Sequence, residues 1–286
     1  MLGPVEDIQM EAALQVIVLA VVQGLTEFLP VSSSAHLILV PWSLGWQHLG
    51  LIFDVGLHVG TLLAILVYFR KDWISVLTEL PRLFRRELAW SQSLILVLVI
   101  GTLPAAALGL VAGDFIESSM RTPRAIAVCL IGFALALWIA ERRGAKARRL
   151  EETRVVDGVW IGLFQMLALA PGVSRSGITI TGGMLRKFRS WDAARLSFLL
   201  SGPAIGGAGL VEARQAYREY LKGAQSLDPL MHQAHPFGLL LLGVVASAVV
   251  GVLCIRYFLR YLQVGSLVPF VVYRVIVGLA VLAAAG

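Results

Sequence analysis

The stretch LTEFLPVSSSAHL, residues 25–37, places a carboxylate, three serines and a histidine inside an otherwise apolar part of the chain. A second stretch, APGVSRSG at residues 170–177, interrupts another apolar run with a proline, a glycine and an arginine. A helix that spans a bilayer tolerates such a break only at a cost, because the freed backbone groups lose their partners in hydrocarbon. Each stretch therefore predicts a re-entrant hairpin, which enters the membrane to mid-depth, turns and returns.

The composition around the two breaks is typical of a membrane protein. Of the 286 residues, 58% are hydrophobic and 15% are charged, and the mean hydropathy is +0.80. Soluble domains carry about 25% charged residues. Runs of roughly 20 residues with almost no charge are long enough to cross a bilayer as helices, and these runs lack the alternation of a membrane barrel. We predict an all-α polytopic membrane protein with a single membrane domain over residues 1–286. The apolar runs lie at 91–112, 124–140, 191–211, 236–256 and 266–284.

The basic residues are concentrated in short loops. The formal net charge is +6, and Lys and Arg cluster at 70–87, 141–154 and 186–189. In membrane proteins such an excess marks the cytoplasmic side. Two apolar runs separate the first two loops and return the chain to the same side, so the two assignments agree. Membrane orientation explains the positive charge better than nucleic-acid binding does, and we predict no nucleic-acid partner.

The two halves of the chain share a weak repeat. At a shift of 142 residues, VSSSA (31–35) lies over VSRSG (173–177), and the apolar runs of the two halves follow the same shift. Each repeat, about 1–143 and about 144–286, would contain one re-entrant helical hairpin and three transmembrane helices. Because three is an odd number, the second repeat enters from the opposite side. The pattern predicts an inverted-topology repeat, in which broken helices meet near the bilayer midplane.

Both breaks carry polar side chains that would meet in this arrangement. An ionised residue at membrane depth costs about 2.5–3.5 kcal/mol on insertion scales, so such a residue indicates a functional site. We predict a small polar chamber that contains one carboxylate, one imidazole and one guanidinium. The side chains concerned are Gln23, Glu27, Ser32, Ser33, Ser34 and His36 from the first break, and Gln165, Ser174, Arg175, Ser176 and Thr179 from the second.

Structural roles are the competing interpretation of several of these residues. Ser34 and Ser176 could equally be helix contacts or N-caps of the returning half-helices. Arg175 could pair with Glu27 for stability alone, although a salt bridge would not require hydroxyl-rich turns on both sides. His36 could be a hydrogen-bonded core histidine.

Other polar and reactive residues indicate structure rather than chemistry. Asp54 and His58 lie four residues apart on a spanning helix and hence on one face, and we interpret this pair as structural rather than catalytic. The segment 212–223 is typical of a solvated or interfacial helix. Cys129 and Cys254 lie in apolar segments without a nearby Cys or His at metal-ligand spacing, which predicts buried free thiols.

The predicted chamber suits phosphate chemistry. The N-termini of half-helices present free N–H groups and a positive dipole end, which favour an anion. Arginine binds phosphate oxygens bidentately, and a carboxylate beside phosphate can hold Mg²⁺ or Ca²⁺. Serine or histidine can attack phosphorus, and histidine can move a proton. The sequence contains no GxxxxGKS/T, HExxH or GxSxG motif, so nucleotide hydrolysis, zinc proteolysis and esterase chemistry have no motif in this chain.

Four segments of the sequence resemble those of a known family. The segments QGLTEFLPVSSSAH (23–36) and PGVSRSGIT (171–179) resemble the two signature segments of the bacterial undecaprenyl-pyrophosphate phosphatases of the bacitracin-resistance type, and FDVGLHVGTLLA (53–64) and PFVVYR (269–274) also resemble that family. The resemblance covers nearly the whole chain. It implies hydrolysis of undecaprenyl pyrophosphate to undecaprenyl phosphate and inorganic phosphate, which recycles the lipid carrier for peptidoglycan synthesis and confers bacitracin resistance. It also implies a multi-pass protein of the bacterial inner membrane, with an active site open to the periplasmic or outer face.

The resemblance further implies roles for individual residues. The family has a (Glu/Gln)xxxGlu pattern, and this chain has Gln23 and Glu27 there, so a second metal-binding carboxylate is absent and Glu27 is the main candidate for metal binding or base catalysis. A divalent cation, Ca²⁺ or Mg²⁺, is expected. Ser33 or His36 is the nucleophile; we favour Ser33, with His36 as its base or proton shuttle. Arg175 would clamp the pyrophosphate. The phosphate cradle would comprise Ser32, Ser34, Ser174, Ser176, Thr179, Gln23 and Gln165.

A lipid-phosphate transporter is the competing function, because inverted repeats with broken helices are also the architecture of many secondary transporters. A flippase would use the same anion-binding turns without cleaving its substrate. The set of Ser33, His36 and Glu27 favours hydrolysis, since transport alone requires no nucleophile. A purely structural scaffold would leave the paired polar turns unexplained. The expected partners are the lipid substrate and the membrane lipids, and a homodimer is left open.

Overall fold

A computed structural model of the chain describes residues 4–47, 49–85, 89–221 and 236–285. These residues form α-helices joined by loops and short 3₁₀ turns, and no β-strand occurs among them. This confirms the predicted all-α class. The helices are α1 Pro4–Thr26, α2 Ser33–Leu44, α3 Leu51–Tyr68, α4 Arg70–Phe84, α5 Leu94–Met120, α6 Pro123–Arg143, α7 Val155–Met166, α8 Arg175–Leu185, α9 Ser190–Leu221, α10 Pro236–Tyr261 and α11 Val268–Ala284.

Five of the described helices are long and apolar enough to cross a membrane. They are α3, α5, α6, α9 and α10, each with a candidate span of at least 18 residues. The positions of α5, α6, α9 and α10 confirm four of the predicted apolar runs, and α3 is a fifth candidate span, so the chain is a multi-pass membrane protein. The last predicted run, 266–284, is the 17-residue helix α11. The predicted interfacial helix at 212–223 is the end of α9, and its last two residues lie outside the described ranges.

Each break is a turn between two helices that pack on one another. In the first, α1 ends at Thr26 and α2 begins at Ser33; in the second, α7 is followed by a 3₁₀ turn at Leu167–Leu169, and α8 begins at Arg175. The returning helices α2 and α8 have 12 and 11 residues. At 1.5 Å per residue they are about 18 and about 17 Å long, which is too short for a hydrocarbon core about 30 Å thick.

Helices from the two halves of the chain pack against one another. Helix α1 contacts α10, α7 contacts α5, and α6 contacts α11, while α3 lies against both α9 and α10. Small residues permit the closest of these approaches. A Cβ atom added at Gly158 or Gly162 of α7 would lie 2.7 or 2.6 Å from a backbone oxygen of α5, so only glycine fits there. This close packing places the two breaks side by side in the interior.

The basic segment at 70–87, predicted as a loop, is largely the helix α4. Its charged residues alternate with apolar ones at helical spacing, and the apolar side chains Ile74, Leu77 and Phe84 are 62%, 62% and 83% exposed. A helix with basic residues on one face and exposed apolar residues on the other is typical of the membrane–water interface. The loop prediction was wrong because it counted charge and did not test helical periodicity.

The basic loop at 141–154 has a structural role besides its charge. Arg148 donates to both carboxylate oxygens of Asp157 at 2.9 and 2.7 Å, and Arg186 Nε donates to the same carboxylate at 2.7 Å. Asp157 is 0% exposed and lies in the first turn of α7. Hydrogen bonding to Asp157 raises the pKa of the Arg148 guanidinium above its ordinary value, against the opposing effect of burial. The loop therefore fastens the base of the second hairpin.

The two cysteines agree with the prediction. Cys129 and Cys254 are both buried and both free.

Candidate functional site

The two breaks share one backbone design. Ser32 caps α2 at φ 79° and ψ 98°, and Ser174 caps α8 at φ 74° and ψ 111°. Each cap hydroxyl accepts a hydrogen bond from the N–H three residues on, at Ala35 and at Gly177. A positive φ is uncommon for a residue with a Cβ and marks a backbone that its surroundings hold in place. Both half-helices thus begin at constrained serine caps, with free N–H groups at their N-termini.

The two turns are in direct contact. The Gly172 N–H of the second break donates to Ser32 Oγ at 3.2 Å, and Ser176 Oγ donates to the Leu29 carbonyl of the first break at 3.0 Å. Within each turn the capping serine contacts the serine two residues on, at 3.2 Å for Ser34 and 3.3 Å for Ser176. These serines hold the turns together. The interpretation of Ser34 and Ser176 as N-caps was wrong, because the caps are Ser32 and Ser174 and the two later serines contact them.

Glu27 is the centre of the polar cluster. Its side chain is 4% exposed, and its Oε1 accepts a hydrogen bond from Arg175 Nη2 across the two breaks. Ser33 Oγ donates to Glu27 Oε2 at 2.6 Å, and Gln23 Nε2 donates to the same oxygen at 2.9 Å. One carboxylate therefore joins the amide, hydroxyl and guanidinium groups that the sequence predicts at the site.

Arg175 is the first residue of α8, and hydrogen bonds hold both its side chain and its backbone carbonyl. Its Nη1 donates to the Ser201 carbonyl of α9 at 3.4 Å. Thr179 Oγ1 donates to the Arg175 carbonyl at 2.7 Å and lies 2.7 Å from Ser197 Oγ on α9. Thr179, predicted as part of the phosphate cradle, thus anchors the helix that carries Arg175. Sequence reasoning missed Ser197, whose only signal was a serine within an apolar helix.

His36 is hydrogen-bonded at both ring nitrogens. Nδ1 donates to the Ser32 carbonyl at 2.8 Å, so the other nitrogen, Nε2, accepts from the Tyr273 hydroxyl at 2.7 Å. The side chain is buried. Meanwhile the Ser33 hydroxyl points to Glu27. The geometry gives Ser33 a carboxylate acceptor, and the expected role of His36 as its base or shuttle stays a prediction.

Gln165 lies apart from the cluster around Glu27 in its described contacts. It is 2% exposed, and its Nε2 donates to the Gly101 carbonyl of α5 at 3.2 Å. Its role in the phosphate cradle stays a prediction. Gln165 occupies the position of the second break that corresponds to Gln23 in the first, yet the two amides serve different contacts.

His58, which the sequence assigns to a structural pair with Asp54, lies beside Glu27. Its Nε2 lies 3.9 Å from Glu27 Oε2, while its Nδ1 donates to the Asp54 carbonyl at 2.8 Å. Three residues on, Thr61 Oγ1 accepts from Gln23 Nε2 at 3.4 Å. The spacing of Asp54 and His58 predicts one shared face of α3, and the sequence does not show which helix that face meets.

The atoms around Glu27 suit a hard cation. Among the described residues, no group of three or more His, Cys, Asp or Glu side chains is arranged to hold a metal ion. However, the buried amide oxygens Gln23 Oε1 and Gln165 Oε1 both lack a hydrogen-bond partner within the described structure, and of the two side chains Gln23 is the one whose described contacts include Glu27. A buried amide oxygen without a partner is costly, and Mg²⁺ and Ca²⁺ take carboxylate, amide and water oxygens. Glu27 and Gln23 therefore fit a partly hydrated divalent cation, with His58 Nε2 beside them.

This arrangement can bind an anion and activate a hydroxyl. Arg175 and the N-termini of α2 and α8 supply positive charge and N–H donors. Ser33 supplies a hydroxyl whose proton already points at a carboxylate, which is the geometry of a nucleophile paired with its base.

Comparisons with known proteins show the family of the chain. The family model described as "Bacitracin resistance protein BacA" matches residues 16–280. An undecaprenyl-diphosphatase of Alcanivorax borkumensis is 42% identical over 269 residues, which cover 94% of this chain and 97% of that protein. Undecaprenyl-diphosphatases of Desulforudis audaxviator and Geobacter sulfurreducens are 44% and 45% identical, each over 93% of this chain and over 95% and 96% of their own lengths. These matches contain both breaks, and the chain therefore belongs to the family of the bacitracin resistance protein BacA.

Proposed function

We propose that the protein is an integral-membrane phosphatase that hydrolyses undecaprenyl pyrophosphate to undecaprenyl phosphate and inorganic phosphate. The observation that carries the proposal is the 2.6 Å hydrogen bond from Ser33 Oγ to Glu27 Oε2, with Arg175 on the other carboxylate oxygen. The names of the relatives support the choice of substrate. In the cell the reaction would recycle the lipid carrier for peptidoglycan synthesis and so confer resistance to bacitracin.

The chemistry starts at Ser33. Arg175 and the N–H groups at the start of α8 bind the pyrophosphate and stabilise the charge that develops on its oxygens. Ser33 Oγ attacks the terminal phosphorus and its proton passes to Glu27. The bond from that phosphorus to the bridging oxygen breaks, and undecaprenyl phosphate leaves with the electron pair.

Water completes the cycle. Its hydroxyl bonds to the phosphorus held on Ser33, the phosphorus–Oγ bond breaks, and Glu27 returns the proton to Oγ. The proton that water loses leaves with the phosphate products. We favour Ser33 over His36 as the nucleophile because both nitrogens of His36 are engaged by Ser32 and Tyr273.

A divalent cation would be held by Glu27 and Gln23. When bound, Ca²⁺ or Mg²⁺ would neutralise charge on the pyrophosphate oxygens. The chain's own part is to present the Glu27 carboxylate, one residue beyond the end of α1, beside the buried Gln23 side chain. The Glu27 N–H still donates to the Gln23 carbonyl at 3.0 Å, so the two side chains are neighbours as at helical positions four apart. Gln23 Nε2 also orients the carboxylate through its 2.9 Å hydrogen bond.

We also infer an inverted-topology repeat, with both hairpins re-entrant. The support is the shared design of the breaks: Ser32 and Ser174 cap their helices with nearly equal backbone angles, and each is followed by a short helix that cannot cross. We infer from the excess of Lys and Arg in the basic segments that this side of the protein faces the cytoplasm and that the membrane is the bacterial inner membrane. The first hairpin then enters from the periplasmic side, where the site would open.

Phosphate release from undecaprenyl pyrophosphate by the purified protein in detergent tests this function. The assay is run with Ca²⁺, with Mg²⁺ and with chelator, and Glu27→Gln and Arg175→Ala are measured beside the wild type. We expect cation-dependent release that both substitutions remove. If folded wild-type protein releases no phosphate, the proposal is wrong, and movement of labelled lipid across liposomes then tests the transporter.

A further inference from the structure

One buried arginine outside the polar cluster contacts both breaks. Arg274 lies on α11, is 0% exposed and is the largest of the fully buried side chains among the described residues. Its Nε donates to the Leu130 carbonyl of α6 at 3.1 Å. The reaction proposed above does not use this residue. Its place between α6 and α11 nevertheless puts a guanidinium directly behind the two turns.

The two terminal nitrogens of the guanidinium, Nη1 and Nη2, donate hydrogen bonds to different breaks. Nη1 donates to the Pro30 carbonyl of the first break at 3.3 Å. Nη2 donates to the Gly172 and Val173 carbonyls of the second break at 2.9 and 3.0 Å. Because the guanidinium is planar and rigid, it fixes the separation of these carbonyls as a single unit. Val173 immediately precedes the capping serine of α8, so the cap is held as well.

The charge of Arg274 is not balanced by a carboxylate in the described part of the chain. Each of its hydrogen bonds there ends on a backbone carbonyl oxygen. An ionised side chain away from water is costly and usually has a function. Carbonyl groups in irregular turns also need donors when they are buried. Arg274 meets this need for both breaks, which no shorter side chain could do from α11.

We propose that Arg274 is a positioning residue that sets the distance between the Ser33–Glu27 pair of the first break and Arg175 of the second. The inference rests on the proposed function. It predicts that Arg274 acts on the rate of the chemical step more than on substrate binding. The reacting groups sit on separate turns, and a displacement of about 1 Å can cost about 10²-fold in rate.

The test compares Arg274→Gln and Arg274→Lys with the wild type. Phosphate release from undecaprenyl pyrophosphate gives kcat and KM, and thermal unfolding in the same detergent gives the folded fraction. For Arg274→Gln we expect kcat to fall about 100-fold, with KM within about threefold because Arg175 still binds the phosphate. Lysine keeps the charge but lacks the fork that reaches both turns, so kcat should stay at least about tenfold below the wild type.

Arg124→Gln is the matched control. Arg124 also joins α6 to α11, through hydrogen bonds from Nε and Nη2 to the Ala285 carbonyl at 3.0 and 2.7 Å, but it does so away from the breaks. We expect it to lower the unfolding temperature and to leave kcat of the folded protein within about twofold of the wild type, since its hydrogen bonds to the Ala285 carbonyl join the start of α6 to the end of α11. A wild type without phosphate release would overturn the proposed function and the role of Arg274 together.

Other outcomes would overturn the role of Arg274 alone. Active wild type with equal kcat in Arg274→Gln and Arg124→Gln would reduce Arg274 to a structural contact. Full activity in Arg274→Lys would show that charge, and not the two-turn fork, is what matters.

If neither Arg274 variant folds, the variant Gly177→Ala tests the role of Arg274 instead. A Cβ at Gly177 would lie 3.0 Å from Arg274 Nη1 and 3.1 Å from the Ser174 side chain, so it displaces the guanidinium, the Ser174 cap or both, without removing Arg274. Gly132→Ala is its control, because a Cβ there has no atom within 4 Å. We expect a loss in kcat of about tenfold for Gly177→Ala relative to Gly132→Ala. Equal kcat in the two variants would contradict the proposal.

Discussion

The two breaks have nearly the same backbone and different chemistry. In both, a serine with positive φ caps a short helix and contacts a serine two residues on. At a shift of 142 residues, however, Ser33 corresponds to Arg175, and Glu27 corresponds to Leu169. The first break therefore carries the carboxylate and the hydroxyl, and the second carries the guanidinium. The comparison teaches that the repeated geometry supplies the frame, while the division of charge between its copies supplies the site.

The largest effect on kcat should come from removing the Arg175 guanidinium of the second break. Arg175→Ala should lower kcat about 10⁴-fold, because an arginine that stabilises charge on a transferring phosphoryl group is worth about 10³–10⁵. The measurement is phosphate release by protein that elutes as one species in detergent. Arg70→Ala is the control, since Arg70 is exposed and contacts a backbone carbonyl. Activity of Arg175→Ala within tenfold of the wild type would remove the second break from the site.

The hydroxyl of the first break should come next. Ser33→Ala should lower kcat about 10³-fold, since it removes the group that Glu27 accepts a proton from. Ser43→Ala on the same helix α2 is the control, because Ser43 is exposed and its Oγ donates to the Val40 carbonyl. We expect it to retain activity within about tenfold of the wild type. If the two variants lose equal activity, Ser33 is not the nucleophile.

The two glutamines should differ in their effect on the cation. Gln23→Leu removes an amide oxygen beside Glu27, and we expect the Mg²⁺ or Ca²⁺ concentration for half-maximal activity to rise about tenfold. Gln165→Leu removes the bond to Gly101 instead. It should lower stability and leave the cation requirement unchanged. Titration of Mn²⁺ binding to both variants provides a readout besides turnover, and equal shifts would mean that Gln23 is not a ligand.

The smallest effect should be the loss of stability on removing a serine cap, and it should be equal in the two breaks. Ser32→Ala and Ser174→Ala each remove a cap, and each should cost about 1 kcal/mol of stability, whereas glycine at either position should cost only a few tenths because it accepts positive φ. Thermal unfolding in detergent measures the four variants. A large difference between the two alanine variants would show that the breaks do not share one design.

Much of the fold was predictable because the membrane restricts what an apolar sequence can do. Charge-free runs must be helices, and a proline or an ionisable residue within them must have a local reason. For this reason the sequence alone indicated Glu27, Ser33 and Arg175 as candidate site residues. Helix α4 was missed because its charges were read as orientation alone.

The partners of the predicted residues were not visible in the sequence. His36 meets Tyr273 across 237 positions, and nothing local to either residue indicates that contact. Arg274 lay in a segment noted only for its family resemblance, and the two turns that it holds lie in different halves of the chain. Such contacts depend on which helix faces which, and helical periodicity does not specify that.

The sequence by itself determined that this is a helical membrane protein with two polar breaks, because the cost of polar groups in hydrocarbon makes each exception to an apolar run conspicuous. Only the tertiary structure decided that Glu27 joins Ser33 to Arg175, that His58 stands beside them, and that Arg274 holds both turns. The physical reason is that the packing of α1 on α10 and of α5 on α7 brings distant segments into contact, and that packing depends on side-chain shape across the whole core rather than on any local pattern.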